Sequence, residues 1–228
     1  MTNMVPKTVV ITGANRGIGL AMVAIYALQG YNVIALCRQS STKLAALSHD
    51  NIEVVEGVDV ATDAGIDIMV SAMNGRTVDI LINNAGILRD ENLQNLNLQT
   101  IEQQFQVNAM APLRVCHALL TYLTSGSKIA LITSRMGSIA DNGSGGRYGY
   151  RMSKAALNAA GMSLAKDLAD DNIAVGIYHP GYVQTGMVNF NGDITSDVAA
   201  SRIVKLIGEL TLAESGVFKH SNGQILPW

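Results

Sequence analysis

Charged residues are scarce in this chain of 228 residues, and cysteine, proline and aromatic residues are scarcer still. Asp, Glu, Lys and Arg together make up 15% of the sequence, against about 25% in ordinary soluble domains. Hydrophobic residues make up 48%, which excludes a disordered or heavily solvated chain. The composition favours a large core buried on two sides, and the length fits one α/β domain.

The charge balance and the apolar runs exclude further classes of protein. With 16 basic and 18 acidic residues the formal net charge is −2, which leaves no basic footprint for nucleic acid or anionic lipid. No run reaches about 18 apolar residues, so no membrane-spanning helix is predicted. The start is too short and polar for a secretory signal, and Cys37 and Cys116 lie too far apart for a disulfide framework. A cytoplasmic protein with two buried free thiols is expected.

Short apolar runs alternate with helical patterns, as in right-handed βαβ units with a parallel sheet. Strands are predicted over Thr8–Thr12, Asn32–Cys37, Ile52–Val55, Val78–Ile82, Lys128–Thr133 and Ile173–Tyr178. Helices are predicted over Gly17–Gln29, Ser41–Ser48, Asp63–Met73, Thr100–Leu123 and Arg147–Asp170. The pattern predicts one domain over residues 1–228, with a variable segment from Gly186 to Gly216 before a last strand near Gln224–Leu226.

A glycine-rich turn, Thr12–Gly19, follows the first predicted strand and opens the first helix. Glycines there let the backbone turn sharply and approach a pyrophosphate, whose charge the helix N-terminus meets. The spacing is Gly-x-x-x-Gly-x-Gly, not Gly-x-Gly-x-x-Gly, and a tight turn without a ligand would need similar residues. Its position between a strand and a helix favours a nucleotide site.

The residues after the second strand predict the form of the cofactor. An acid that binds a free ribose 2′-hydroxyl usually stands about 20 residues past the glycines. Here Arg38 stands nineteen residues past Gly19, and no acid occurs before Asp50. A guanidinium fits a 2′-phosphate, and Arg16 can approach the same group. NADP(H) is therefore predicted over NAD(H), the alternative being that Arg38 is an ordinary solvated residue.

Two short segments after the third and fourth strands are candidates for contact with adenosine. Asp59 can accept a hydrogen bond from the adenine amino group or simply form a turn. Asn83–Gly86 follows the fourth strand, where small and amide residues would let a loop lie against adenine and ribose. A structural turn explains the same composition.

A tyrosine and a lysine four residues apart, Tyr150 and Lys154, are predicted on one helix face. A lysine cation favours the phenolate and brings the tyrosine pKa toward the range useful for acid–base catalysis, although a surface pair would look the same. Ser134 follows the fifth strand, where ligands of such sheets bind, and its hydroxyl can polarise a carbonyl. Ser138 could instead line the pocket.

Asn108 lies within a predicted helix, four residues before Pro112. Proline has no N–H and crowds the carbonyl four residues earlier, so the Asn108 carbonyl must find another partner, plausibly an ordered water. Such a water could relay protons. A packing kink without chemistry is the alternative.

Together these residues resemble the short-chain dehydrogenase/reductase family over nearly the whole chain. The matching positions are Thr12–Gly19, Asp59, Asn83–Gly86, Asn108, Ser134, Tyr150, Lys154 and Pro180–Thr185. The resemblance implies an α/β fold with a Rossmann-like, doubly wound parallel sheet of about seven strands in three layers. It also implies NAD(P)-dependent interconversion of carbonyls and alcohols.

The resemblance further implies a role for each matching residue. Tyr150 would be the general acid/base, Ser134 would orient the substrate oxygen, and Asn108 would hold the relay water. Lys154 would bind the nicotinamide ribose and lower the tyrosine pKa. The residues expected to bind the cofactor are Gly13, Asn15, Arg16, Gly17, Ile18, Gly19, Arg38, Asp59, Val60, Asn84, Ala85, Gly86, Tyr150, Lys154, Pro180, Gly181, Val183 and Thr185.

Ser134–Leu157 and the ending Gly223–Trp228 look like the C-factor and sniffer-type carbonyl reductases. The prediction is an NADPH-dependent reductase of a small-molecule ketone, aldehyde or quinone. Oxidation of a secondary alcohol and a non-catalytic, nucleotide-binding signalling role remain alternatives. Family likeness favours a homodimer or homotetramer, and the four histidines lack metal-ligand spacing.

Two features depart from the family pattern. Ser134 and Tyr150 are sixteen residues apart, a few more than is common, so Asp141–Gly146 is expected to form an enlarged loop. The segment after Thr185 is small, which predicts an open, permissive pocket. Three nearby arginines would attract an anionic substrate or lie on a solvated face: Arg135, Arg147 and Arg151.

Overall fold

Seven parallel strands form a single sheet in a computed structural model that describes residues 6–47 and 49–228. The strands are β1 (Thr8–Thr12), β2 (Asn32–Leu36), β3 (Ile52–Val55), β4 (Val78–Asn83), β5 (Leu123–Ile132), β6 (Ala174–His179) and β7 (Phe218–His220). Their order is β3-β2-β1-β4-β5-β6-β7, and every neighbouring pair is parallel. The order reverses between β1 and β4, which is where doubly wound sheets bind their ligands.

Helices cover both faces of the sheet. They are α1 (Gly17–Leu28), α2 (Thr42–Ala45), α3 (Asp63–Met73), α4 (Leu98–Phe105), α5 (Ala111–Leu119), α6 (Tyr148–Asp167) and α7 (Ser196–Glu209). Apolar residues of α3, α5 and α6 form a core with one face, and those of α1, α2 and α7 form a core with the other. The predicted three-layer α/β fold with a Rossmann-like sheet is confirmed.

The alternation of β1 shows why both cores form. All five of its residues are buried. Val10 packs in the core under α3, α5 and α6, whereas Val9 and Ile11 pack in the core under α1 and α7. Since successive side chains of a strand point to opposite faces, a strand covered on both sides must be apolar throughout.

The last strand was predicted in the wrong place. It is Phe218–His220, and Gln224–Leu226 contributes only an isolated bridge between Ile225 and Lys219. The pair Ile225–Leu226 gave the stronger apolar signal, but Leu226 is buried beside Phe218 without extending the sheet. Ser48, the predicted end of the second helix, lies outside the described residues.

One long predicted helix and the segment expected to vary differ from the structure. The helix expected over Thr100–Leu123 is divided into α4 and α5 by a π-helical turn over Gln106–Met110. Pro112, near the start of α5, cannot donate to the Asn108 carbonyl, and the helix widens at this point. Within the segment expected to vary, Ser196–Glu209 is helical and packs its apolar side on the sheet beside α1.

None of the helices in the described parts of the chain has the length and apolar character needed to cross a bilayer.

Candidate active site

The glycine turn leaves no room for side chains where β1 passes into α1. Gly13 and Gly17 have φ angles of 65° and 55°, in the left-handed region that favours glycine. A Cβ on Gly19 would collide with the carbonyl oxygen of Gly13 and with the Asn84 side chain. Arg16 precedes α1 without capping it through its side chain. The first N–H groups of α1 are thus available to an anion such as a pyrophosphate.

Asn84 holds the glycine turn against β4. Its Nδ2 atom donates to the carbonyl oxygens of Thr12 at 3.0 Å and Gly13 at 3.1 Å. The Thr12 hydroxyl in turn accepts from the backbone N–H groups of Asn84 and Ala85 at 3.0 and 3.1 Å. Asn84 therefore shapes the site through the turn, a structural role that its composition alone did not distinguish from cofactor contact.

Arg38 lies exposed just beyond β2, beside the glycine turn. Asn15 Nδ2 donates to the Gln39 carbonyl at 2.8 Å, which ties that turn to the segment after β2. The structure also brings an acid to this segment, because the Glu56 carboxylate accepts from the Ser40 N–H at 2.9 Å. Glu56 follows β3, so its sequence position relative to the glycine turn gave no sign of this contact.

Asp59 acts as a turn former in the structure. Its Oδ1 atom accepts from the Ala61 N–H at 3.0 Å, as short polar side chains do in turns. A Cβ on Gly65 would strike the Asp59 backbone, so α3 packs tightly against this turn. Val60, the next residue, is buried with 8% of its surface exposed.

Tyr150 and Lys154 lie one turn apart near the start of α6, and their exposed fractions are only 8% and 4%. The Lys154 Nζ atom lies 5.8 Å from the centroid of the Tyr150 ring. The same atom donates a 2.9 Å hydrogen bond to the carbonyl of Ile132, at the end of β5. The helix and the sheet thus hold a phenol and an amine together at the C-terminal ends of the strands.

The expected net decrease in the tyrosine pKa is not found. Burial raises the pKa of Tyr150, while hydrogen bonding with Ser134 and the charge of Arg147 act in the opposite direction. Burial also lowers the pKa of Lys154 to about 8. Removal from water therefore outweighs the nearby groups that favour the phenolate, and Tyr150 is a neutral phenol near pH 7.

Asn108 joins three elements at the π-helical turn and is completely buried. Its Nδ2 atom donates to the Ile87 carbonyl at 2.8 Å and to the Ser153 hydroxyl at 3.0 Å, and its Oδ1 atom accepts from the Ile87 N–H at 2.8 Å. The Ser153 hydroxyl donates to the carbonyl of Tyr150 at 2.8 Å. Ser153 is a residue that sequence reasoning missed, and only its place one residue before Lys154 hinted at a buried position.

Gly86 completes the floor beside the buried amine. A Cβ on Gly86 would lie 3.2 Å from Asn108 Oδ1 and 3.7 Å from Lys154 Nζ. A side chain larger than glycine would therefore fill space between β4 and α6. Gly86 leaves a cradle in which a ribose or another small polar group could approach Lys154.

Ser134 and Ser138 have different surroundings. Ser134 is buried at the end of β5, and its hydroxyl accepts from the Met136 N–H at 3.1 Å. Its hydroxyl also interacts with the Tyr150 side chain. The Ser138 hydroxyl instead accepts from the Asp141 N–H at 3.0 Å within the loop. Only Ser134 is brought to the tyrosine.

The segment Pro180–Thr185 returns over the glycine turn. Thr185 contacts Gly17 so closely that a Cβ on the glycine would lie 3.3 Å from the threonine Cγ2 atom. Val183 is buried and pairs with Ile194, and the Ser221 hydroxyl holds the Pro180 carbonyl at 2.8 Å. The glycine turn and the segment Pro180–Thr185, both expected to bind the cofactor, therefore lie against each other.

Across residues 6–47 and 49–228, no three side chains of His, Cys, Asp or Glu come together as a metal site.

The sequence profile of the short chain dehydrogenases matches residues 7–194. The 1-hydroxy-2-glutathionyl-2-methyl-3-butene dehydrogenase of Rhodococcus sp. (strain AD45) is 36% identical over 97% of this chain and 100% of that protein. The C-signal protein of Myxococcus xanthus is 39% identical over 66% of this chain and 93% of that protein. The chain belongs to the short-chain dehydrogenase family and is an oxidoreductase.

Solved structures agree with this assignment. NADPH-bound carbonyl reductase from chicken fatty liver matches with a TM-score of 0.90 at 30% identity, over 99% of this chain and 100% of that one. The carbonyl reductase Sniffer of D. melanogaster matches with a TM-score of 0.88 at 29% identity, over 98% and 100%. The resemblance to C-factor and sniffer-type proteins is confirmed.

Proposed function

We propose that this protein is an NADPH-dependent reductase of ketone, aldehyde or quinone carbonyls. The observation that carries this proposal is the buried pair of Tyr150 and Lys154, with Ser134 beside the tyrosine, at the C-terminal ends of the strands. The chicken and Drosophila relatives are carbonyl reductases, and the former was solved with NADPH.

The described residues fit a dinucleotide, because the glycine turn and Gly86 form cradles that a Cβ would fill. Under this proposal the N-terminus of α1 receives the pyrophosphate, Arg38 and Arg16 receive the 2′-phosphate, and Lys154 binds the nicotinamide ribose. The adenosine side comprises Asp59, Val60, Asn84 and Ala85, and the carboxamide side comprises Pro180, Gly181, Val183 and Thr185. When bound, the reduced nicotinamide supplies the hydride that reduces the carbonyl carbon.

The residues of this chain supply the proton. The Ser134 hydroxyl donates to the substrate oxygen and polarises the carbonyl, and the neutral Tyr150 phenol gives its proton to that oxygen. The Lys154 ammonium lies where it stabilises the resulting phenolate. Asn108, whose main-chain carbonyl Pro112 cannot pair, holds the water through which the phenol is reprotonated.

The test of the acid is the variant Tyr150→Phe. It should bind NADPH in calorimetry as the wild type does, and lose about 10²–10⁴-fold in kcat with phenanthrenequinone and 4-nitrobenzaldehyde. Tyr148→Phe is the matched control, because Tyr148 is only half-buried two residues earlier and should keep its activity. A fully active Tyr150→Phe enzyme would show that the proton comes from elsewhere.

The preference for NADPH needs its own test, because Glu56 lies near Arg38 through its contact with Ser40. A guanidinium favours a 2′-phosphate, whereas a carboxylate repels it. We expect kcat/KM to be higher with NADPH than with NADH, and Arg38→Asp to reverse that order. A wild-type preference for NADH would mean that Glu56 determines the cofactor.

Oxidation of an alcohol is the second candidate function. The Rhodococcus relative, which matches over its whole length, is named as a dehydrogenase of a 1-hydroxy compound that carries a glutathionyl group. The same Tyr150 would then accept a proton as a phenolate. A larger kcat/KM for alcohol oxidation with NADP+ than for reduction, both measured near pH 7, would favour this direction.

The likeness to the C-signal protein suggests a signalling role. The complete set of Ser134, Tyr150 and Lys154 argues against a role without catalysis.

We further propose a cytoplasmic location and an oligomeric assembly. Cys37 and Cys116 are buried free thiols, which supports a reducing, cytoplasmic location. A homodimer or homotetramer is proposed from the family likeness. Size-exclusion chromatography with light scattering would distinguish either from a monomer.

A further inference from the structure

A cavity of about 150 Å³ opens beside Arg147, the residue directly before α6. Its lining combines apolar side chains, amides and an ion pair: Leu88, Asp90, Arg147, Tyr182, Met187, Val188, Asn189 and Asn191. The cavity is too small for a whole substrate with its cofactor. Its size suits a substituent of a substrate, and Tyr150 lies on the helix that begins directly after Arg147.

Arg147 lines this cavity and has an unusual backbone conformation. Its φ angle is +50°, in the left-handed region, and it follows two glycines that each have a φ of +63°. A non-glycine residue is rare there and usually has a positional reason. The Arg147 N–H donates to the Glu91 carbonyl at 2.8 Å, and Nε pairs with Asp90 Oδ1 at 2.7 Å.

Glu91, whose carbonyl accepts from the Arg147 N–H, is itself bound to a neighbouring helix through its carboxylate. Its side chain is 4% exposed, and its Oε1 atom accepts from Gln104 Nε2 at 2.6 Å and Thr100 Oγ1 at 2.7 Å. Both partners belong to α4. The backbone that positions Arg147 is thus fixed to a neighbouring helix.

The three arginines near the site differ in the donors that they have left. Arg135 pairs with Asp141 through Nε, as Arg147 does with Asp90, and its Nη groups also donate to no nitrogen or oxygen of the described chain, but Arg135 does not line the cavity. The guanidinium of Arg151 donates three hydrogen bonds, to the carbonyls of Gly145 and Met136 and to the hydroxyl of Ser144. Unlike those of Arg151, the Nη groups of Arg147 donate to no nitrogen or oxygen of the described chain, and Nη1 only approaches the Met136 sulfur at 4.0 Å.

We propose that Arg147 binds a carboxylate of the substrate while the reacting carbonyl lies at Tyr150, so that aldehydes and ketones bearing an acidic group are preferred. This inference rests on the proposed reductase function. A guanidinium with one nitrogen fixed by Asp90 can still present its Nη groups to a second carboxylate. The position of Arg147, one residue before the helix that carries Tyr150, links the two ends of the substrate.

The experiment compares 4-carboxybenzaldehyde with its methyl ester, which differ in charge but share the reacting group. The ratio of kcat/KM for the acid over the ester should be about tenfold or more in the wild type. Arg147→Gln should bring the ratio close to one. Because the ratio compares two aldehydes in one enzyme, any effect of Arg147 on proton transfer that is common to both substrates cancels.

Two matched variants separate this role from general charge. Arg147→Lys keeps the charge without the fork and should give an intermediate ratio. Arg135→Gln removes a nearby guanidinium that pairs with Asp141 and does not line the cavity, and should keep the wild-type ratio. A wild-type ratio near one, or an equal loss in Arg135→Gln and Arg147→Gln, would overturn the proposal.

A binding measurement makes the outcome independent of turnover. Calorimetry with 4-(hydroxymethyl)benzoate and its methyl ester should show tighter binding of the acid to the wild type and to Tyr150→Phe, and no such difference in Arg147→Gln. If no aldehyde is reduced but this binding difference is present, the proposed reductase function fails and the role of Arg147 stands. Equal binding of both compounds to the wild type would refute the role.

Discussion

Replacing Lys154 by methionine should change how stability depends on pH. Lys154 is 4% exposed, and burial lowers its pKa from 10.5 to about 8. Between these two values the unfolded chain keeps a proton that the folded chain releases. Stability from this residue therefore rises as the pH increases through that window, since the unfolded state binds more protons.

The magnitude follows from the difference in bound protons. Integrated from about pH 7 to about pH 9.5, Lys154 adds about 2 kcal/mol to the free energy of unfolding. Cys37 and Cys116 act in the opposite direction, because burial raises the pKa of each thiol, so the unfolded chain releases these protons at lower pH than the folded chain does. The pH dependence of the total free energy of unfolding therefore does not show the contribution of Lys154 by itself. The difference between the wild type and Lys154→Met reveals it, because the thiols are common to both.

The assay is urea unfolding at the two pH values without cofactor, followed by circular dichroism. Relative to the wild type, Lys154→Met should lose about 2 kcal/mol more stability at the higher pH than at the lower. Lys205→Met is the control, because a side chain that is 74% exposed gives up little hydration on folding. An equal wild-type-to-variant difference at both pH values would refute the reasoning that a buried amine titrates in this window.

Two further changes have expected results. Gly19→Ala should lower the free energy of unfolding by about 1–3 kcal/mol and abolish NADPH binding in calorimetry, because a methyl group would collide with the glycine turn. The control Gly208→Ala, at an open helical position, should raise the free energy of unfolding by about 0.5–1 kcal/mol. Similar effects of the two substitutions would contradict the collision. Trp228→Ala should lower the free energy of unfolding in urea by about 0.5–1.5 kcal/mol, since the ring stacks on Phe218 with centroids 5.5 Å apart. Unchanged stability would mean that this stacking contributes nothing.

Much of the fold was predictable because its signals are local. The strands Thr8–Thr12 and Ile52–Val55 and the helix Asp63–Met73 have the predicted bounds. The helix Ser196–Glu209 was missed although its buried residues recur at helical spacing, as Ala200, Ile203, Val204 and Ile207 show. The strand Phe218–His220 has only three residues and pairs with β6 alone, so its local pattern was weak.

The site was only partly predictable because several contacts depend on distant packing. Tyr150 and Lys154 come together through the helical repeat, which can be read from spacing. The contact of Glu56 with Ser40 depends on the pairing of β2 with β3, and no spacing encodes it. The support of Arg147 by Glu91 likewise joins residues far apart in sequence.

The loop before α6 connects the specificity and the chemistry of the proposed site. Arg151 fixes the loop by donating to the Gly145 carbonyl and the Ser144 hydroxyl, which leaves Arg147 at the junction between loop and helix. Burial keeps Tyr150 protonated near pH 7, the form that donates a proton in reduction, and the charge of Arg147 moderates that shift. A substrate carboxylate on Arg147 would offset this charge and so favour the neutral phenol further. Because the phenol is already neutral near pH 7, this change makes it a somewhat weaker acid, so the advantage of an acidic substrate is expected in its binding to Arg147 rather than in proton transfer.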